Sequence, residues 1–87
     1  MAASVTLYTK PGCPYCARAL GLLRDKGVEF TDISAAFVPE KKAEMVQRSG
    51  GKATFPQIFI GDRHIGGCDD MYDLEDSGEL DRLLEAA

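Results

Sequence analysis

Two cysteines, Cys13 and Cys16, stand three residues apart where the chain changes its hydrophobic period. Before them, Val5-Thr6-Leu7-Tyr8 alternates as a short strand does. Lys10-Pro11-Gly12 then carries a Pro-Gly turn signal. After them, Ala19, Leu20, Leu22 and Leu23 form a helical stripe, with Arg18, Arg24 and Asp25 off it. Gly27 is placed to stop that helix. A strand, a turn and a helix are therefore expected around Cys13-Pro14-Tyr15-Cys16, with the first cysteine at the helix start.

The remaining elements follow from the same periodicities. Val28, Phe30 and Ile33, set among Glu29 and Thr31, predict a second strand. Pro39 opens a second helix with Ala43, Met45 and Val46 facing inward, and Ser49-Gly50-Gly51 closes it. Gln57-Ile58-Phe59-Ile60, Gly61-Asp62 and Arg63-His64-Ile65 predict a hairpin with a two-residue turn. Gly66-Gly67 ends the hairpin, and Asp69 or Asp70 is expected to cap a third helix carrying Met71, Tyr72 and Leu74. Ser77-Gly78 breaks that helix, and Leu80, Leu83 and Leu84 mark a last one packed on the core. The order is β-α-β-α-β-β-α-α. A right-handed crossover makes the first two strands parallel, and the hairpin adds an antiparallel pair. The expectation is an α/β fold: a four-stranded mixed sheet flanked by helices, the thioredoxin-like architecture.

Size and charge remove other classes. At 87 residues, the chain is expected to form one domain over residues 1–87. A chain of this size buries only roughly 60–65% of the surface it exposes unfolded, so a large enzyme with a deep cavity is excluded. Ten basic residues against fourteen acidic ones give a net charge of -4, which opposes a general nucleic-acid binder. No segment approaches the roughly 20 apolar residues of a membrane span, and no secretory signal is visible at the N-terminus. Three cysteines, an odd number, do not make the disulfide framework of a small secreted domain. The expected setting is a reducing, cytoplasmic one, and a monomer is the default.

The cysteine pair is chemically asymmetric. With Pro14 at the first helical position, Cys13 becomes the N-cap. Its sulfur then faces the backbone N–H groups of Tyr15 and Cys16 at the positive end of the helix dipole. Such cysteines have pKa values lowered to roughly 3.5–7.5, and Lys10 nearby acts in the same direction. Cys16 lies one turn further in and is expected to ionise less. Cys13 is therefore the expected nucleophile, with Cys16 resolving the mixed disulfide. A zinc site would need further ligands, and only His64 and Cys68 remain, on a hairpin and after a Gly pair rather than at ligand spacing. No metal is expected.

Three blocks, in this order, resemble the glutaredoxin family over nearly the whole chain: Cys13-Pro14-Tyr15-Cys16, Thr54-Phe55-Pro56-Gln57-Ile58-Phe59-Ile60 and Gly66-Gly67-Cys68-Asp69-Asp70. The likeness is to the short bacterial dithiol type, glutaredoxin 3, which also has a third cysteine after the Gly pair. The resemblance implies a groove for glutathione as co-substrate, lined by Lys10, Tyr15, Thr54, Phe55, Pro56, Gln57, Gly67, Cys68, Asp69 and Asp70. It implies a cis bond between Phe55 and Pro56, with the Phe55 backbone pairing with glutathione as an added strand. Lys10 and Gln57 would take the glycine carboxylate, and Tyr15 would flank the sulfur. N–H groups at the third helix start would take the γ-glutamyl carboxylate, and Asp70 the ammonium. Two positions depart from the family. Phe55 replaces the usual Val and is expected to narrow the groove. Asp69 replaces Ser or Thr and exchanges a donor for an acceptor, at some loss of carboxylate binding. Against these roles stand plainer ones: Thr54-Phe55-Pro56 as loop chemistry, Lys10 as a solvated charge, His64 as an ordinary hairpin residue and Cys68 as a bystander.

The expected activity is glutathione-dependent reduction of protein–glutathione mixed disulfides and protein disulfides. Partners implied by the resemblance are glutathione, glutathionylated proteins and disulfide-containing proteins such as ribonucleotide reductase, with no nucleic acid and no membrane. Two rival functions stay open. One is a carrier of a glutathione-ligated [2Fe–2S] cluster, which Pro14 opposes because cluster-binding members usually have Gly or Ser there. The other is a redoxin fed by thioredoxin reductase, whose members lack the groove.

Overall fold

A computed structural model describes residues 4–85. Its elements are β1 (Val5–Thr9), α1 (Pro14–Asp25), β2 (Thr31–Ser34), α2 (Pro39–Arg48), β3 (Gln57–Ile60), β4 (Arg63–Gly66), α3 (Cys68–Ser77) and α4 (Glu79–Glu85). The four strands form one sheet in the order β2-β1-β3-β4. β1 pairs parallel with β2 and antiparallel with β3, and β3 pairs antiparallel with β4.

Alternation within the two central strands decides which helix covers which face. Val5 and Leu7 of β1, with Ile58 and Ile60 of β3, pack against Ala19 and Leu23 of α1, Met71 of α3 and Leu80 and Leu84 of α4. Tyr8 and Phe59, one residue out of step, point the other way and meet Met45 of α2 and Ala35. All four residues of β3 are buried because helices cover both faces there. The second face also holds a polar anchor. Tyr8 Oη donates to the Glu44 carboxylate and accepts from Arg48 Nη1 at 2.9 Å. The Arg48 guanidinium lies 4.3 Å from the Phe59 ring centroid. Residues of α2 thus hold the ends of both central strands.

Three local expectations need correction. β2 spans Thr31–Ser34, so Val28 and Phe30 precede it. The ladder with β1 begins at Thr6 and Thr31, whereas the Val28 N–H still donates to Leu23 O of α1. Val28 and Phe30 are half-buried against the larger core cluster, which produced the apparent alternation. On α2, Ala43 is exposed while Met45 is buried and Val46 half-buried. Two residues advance about 200° around a helix, so Ala43 and Met45 cannot share a face. The N-cap of α3 is Gly67, not Asp69 or Asp70. Asp70 reaches back instead, its Oδ2 accepting from the Gly67 N–H at 2.9 Å. That is the return half of a capping box, and Gly67 supplies no side chain for the other half.

Candidate functional site

The turn after β1 and the start of α1 place the cysteine pair. Gly12 has φ +69, a left-handed conformation that glycine adopts without steric cost. Cys13 follows as the N-cap, with extended φ -95 and ψ 109, and Pro14 opens the helix. The Cys13 carbonyl accepts the first helical bond from Ala17 N–H at 3.0 Å. Its Sγ accepts from the Cys16 N–H at 3.2 Å. This is one of the two donors expected; Tyr15 contributes none. A backbone donor aimed at this sulfur, at the positive end of α1, suits a negative charge on it.

Cys16 lies on the stripe that continues through Ala19 and Leu23, all three buried. Burial pushes its thiol up to about 12, with a hydrogen bond to Cys13 acting in the same direction and the Lys10 backbone opposing it. Cys16 is therefore a thiol at neutral pH. All three cysteines are unpaired, and Cys13 itself is only 8% exposed.

Two concavities flank the start of α1. The first is a groove of about 270 Å³ whose walls include Tyr15, Thr54, Phe55, Pro56, Gln57, Gly67, Cys68, Asp69 and Asp70. It gathers nine of the residues singled out in the sequence. The Phe55–Pro56 peptide is cis. Lys10 does not line this groove; its Nζ lies 5.9 Å from the Phe55 ring centroid, at the edge of a second cavity. The second cavity, about 480 Å³, is lined by Cys13 and Cys16 along with Lys10 and Asp32.

Gln57 is buried, and its carboxamide is engaged at both ends. Nε2 donates to Thr54 O at 2.9 Å and to Thr54 Oγ1 at 3.0 Å. Oε1 is 2.7 Å from His64 Nε2. Because the Thr54 carbonyl requires a donor, the oxygen faces His64, and the ring nitrogen must donate. His64 also stacks on Phe59 with centroids 4.9 Å apart. Burial holds His64 below the ordinary imidazole range, with Lys52 adding to the effect and Asp70 opposing it.

His64 and Lys52 both line the groove. The sequence reads His64 as an ordinary hairpin residue and gives Lys52 no role. Lys52 stands two residues before Thr54, so a lone cation leading into that block was the available signal.

Cys68 lines the groove at the start of α3, and burial raises its thiol, with Arg18 opposing. Helical bonding from Gly67 begins with Met71 N–H. The N–H groups of Cys68, Asp69 and Asp70 therefore lie before the first closed turn, on the groove wall. Among the described residues, no group of three or more His, Cys, Asp and Glu side chains is arranged to hold a metal ion. No described helix is long and apolar enough to cross a membrane.

Gly66 is needed where it stands. Its φ is +119, and a Cβ there would meet Asp70 Oδ2 at 2.2 Å. Gly66→Ala is expected to displace the Asp70 carboxylate, break its bond to Gly67 and strain the backbone. The loss should be about 1–3 kcal/mol in urea unfolding. Asp70→Ala should lose about 1 kcal/mol, the value of the cap alone. Equal losses for the two variants would show that the clash at Gly66 is absorbed without cost.

The architecture has close counterparts. The glutaredoxin family profile matches residues 5–65. Glutaredoxin 3 of Escherichia coli is 52% identical over 83 residues, covering 95% of this chain and 99% of that protein. The solution structure of a glutaredoxin from Brucella melitensis matches with a TM-score of 0.83 at 61% identity, covering 97% of this chain and 90% of that one. The crystal structure of a buckwheat glutaredoxin–glutathione complex matches with a TM-score of 0.82 at 30% identity, covering 92% of this chain and 74% of that one.

Proposed function

The chain belongs to the glutaredoxin family of thiol–disulfide oxidoreductases, and we propose that it uses glutathione to reduce protein–glutathione mixed disulfides and protein disulfides. The observation that carries this reading is the Cys13 sulfur capping α1, with the Cys16 N–H donating to it, beside a groove of about 270 Å³.

Cys13 attacks as the thiolate. On a protein–glutathione mixed disulfide it takes the glutathione sulfur, and the protein thiolate leaves with the electron pair. A second glutathione thiolate then attacks that sulfur, releasing oxidised glutathione and restoring Cys13. On a protein disulfide, Cys13 forms the mixed disulfide and Cys16 closes on Cys13. Two glutathiones reduce the resulting internal bond.

Glutathione has an extended backbone, two carboxylates and one ammonium. The Phe55 backbone pairs with it as an added strand. The unbonded N–H groups opening α3 take the γ-glutamyl carboxylate, and Asp70 takes the ammonium. Gln57 is committed to Thr54 and His64, so it orients the groove wall rather than reaching out freely. Lys52 supplies the cation on that wall for the glycine carboxylate, with Lys10 drawn in from beside Phe55. Asp69 offers its N–H to the ligand while its carboxylate repels the same carboxylate. The buckwheat glutaredoxin, whose structure holds glutathione, supports the groove's ligand class.

The test is turnover of a glutathionylated peptide. Glutathione with its reductase is expected to sustain it, with thioredoxin reductase alone giving none. The reverse outcome would assign the chain to reductase-fed redoxins and remove the groove's proposed ligand.

A further inference from the structure

We propose that the Asp32 carboxylate accepts the proton of the Cys16 thiol as Cys16 closes on Cys13. This rests on the dithiol reading above and adds a residue that none of the three sequence blocks contains.

Cys16 and Asp32 line the same cavity of about 480 Å³, behind the capped end of α1. Asp32 sits on β2, opposite Leu7 of β1 in the ladder. Thr9 Oγ1 donates to Asp32 Oδ1 at 2.5 Å, which holds the carboxylate at the cavity wall. Cys16 is 3% exposed, so its contact with water is confined to the cavity it shares with Asp32. Asp32 is exposed and hands a proton on to solvent.

The other groups at this cavity do not accept protons. Lys10 is an ammonium. Cys13 is tied in the mixed disulfide at this stage, and the Thr9 hydroxyl already donates to Asp32. Arg18 and Asp69 act on Cys68 instead.

The chemistry requires such an acceptor. In the reduced protein, burial, with Cys13 acting in the same direction, pushes the Cys16 thiol up to about 12. The burial persists when Cys13 is in the mixed disulfide, so Cys16 is still held toward its protonated form as it attacks. The Asp32 charge itself opposes a standing thiolate. As the new S–S bond forms, the sulfur gives up its electron pair and its proton becomes strongly acidic. A carboxylate has a basicity between those two limits, which is where a general base is effective. The Cys16 Sγ–Cys13 Sγ bond forms and the bond from Cys13 Sγ to the substrate sulfur breaks. The substrate leaves as thiolate with the electron pair, and the proton goes to Asp32. Cys16 is oxidised and the substrate sulfur reduced, with no outside oxidant.

The two effects of Asp32 have opposite signs, which makes the test decisive. As a base it speeds closure; as a mere negative charge it slows it. Reduced protein is mixed with one equivalent of dithiobisnitrobenzoate, and release of the coloured thiol is followed by stopped flow. Cys13 gives a first, bimolecular phase; closure by Cys16 gives a second, unimolecular one. Asp32→Asn is expected to slow the second phase by about tenfold or more at neutral pH and make it rise with hydroxide. The first phase should stay within about twofold, and Asp32→Glu should restore most of the second phase. A second phase unchanged or faster in Asp32→Asn overturns the proposal, as does equal slowing of both phases. Absence of the second phase in the unaltered protein would instead overturn the dithiol reading.

Discussion

Cys13→Ser is expected to lower turnover of a glutathionylated peptide by roughly 10³-fold or more, with no loss of stability. Both halves come from the same geometry. The chemistry needs a sulfur anion at that position, and a serine hydroxyl stays protonated there without an adjacent base. Among the described residues, no histidine lies beside Cys13; His64 is committed to Gln57 in the groove wall. The fold needs only an acceptor for the Cys16 N–H, now met by Cys13 Sγ at 3.2 Å. Serine is among the preferred N-cap residues, so the helix start is kept or improved. Turnover and urea unfolding measured on the same preparation therefore separate chemistry from folding. Residual activity above about one hundredth of the unaltered protein's would mean that another sulfur attacks, and Cys68 on the groove wall would be the one to test.

Elements built from local chain were legible in the sequence. The capped start of α1 follows from Pro14 and from the break at Lys10-Pro11-Gly12, all within a few residues. The hairpin between β3 and β4 follows from Gly61-Asp62 between apolar runs. The parallel pairing of β1 with β2 follows from the preferred hand of the crossover through α1, whereas the antiparallel pairing that sets β3 beside β1 has no local signal. Errors arose where a distant partner decides. β2 begins at Thr31 because its ladder partner is Thr6, and alternation at Val28 and Phe30 could not reveal that. The α3 cap was misplaced because Gly67 contributes only backbone while Asp70 caps from inside the helix.

Within the site, Tyr15 of the first block meets Thr54 to Gln57 of the second and Gly66 to Asp70 of the third on one groove, because each is a continuous segment, while Cys13 and Cys16 face the neighbouring cavity. Lys52, His64 and Asp32 escaped because their importance lies in what faces them. Thr9 and Asp32 are 23 residues apart in sequence yet share a hydrogen bond. His64 acquires its environment from Gln57, Phe59, Lys52 and Asp70, all four of which lie on other elements or in the loop before β3.

Cys16→Ser is expected to separate the two reactions. Reduction of protein–glutathione mixed disulfides should continue within a few-fold of the unaltered rate, because a second glutathione resolves Cys13 and no step needs the second sulfur. Reduction of a protein disulfide should fall by about 10²-fold or more, because an intramolecular attack is replaced by one at glutathione's concentration. If both reactions fall together, Cys16 has a part in the first attack and the division of roles is wrong.

The same variant carries a signature in stability. The Cys16 thiol is raised from 9.0 to about 12 by burial first and by its bond to Cys13 second. Between those values the unfolded chain has lost the proton and the folded chain has kept it. The unfolded state then binds fewer protons, so stability falls as pH rises. The contribution from the neutral thiol is complete below the unfolded value of 9.0 and is lost progressively toward about 12. Urea unfolding across that range should show a steeper decline in the unaltered protein than in Cys16→Ser, whose hydroxyl does not titrate there. Parallel declines would show that the thiol meets water in the folded state, and with it would go the reason for giving Cys16 a proton acceptor.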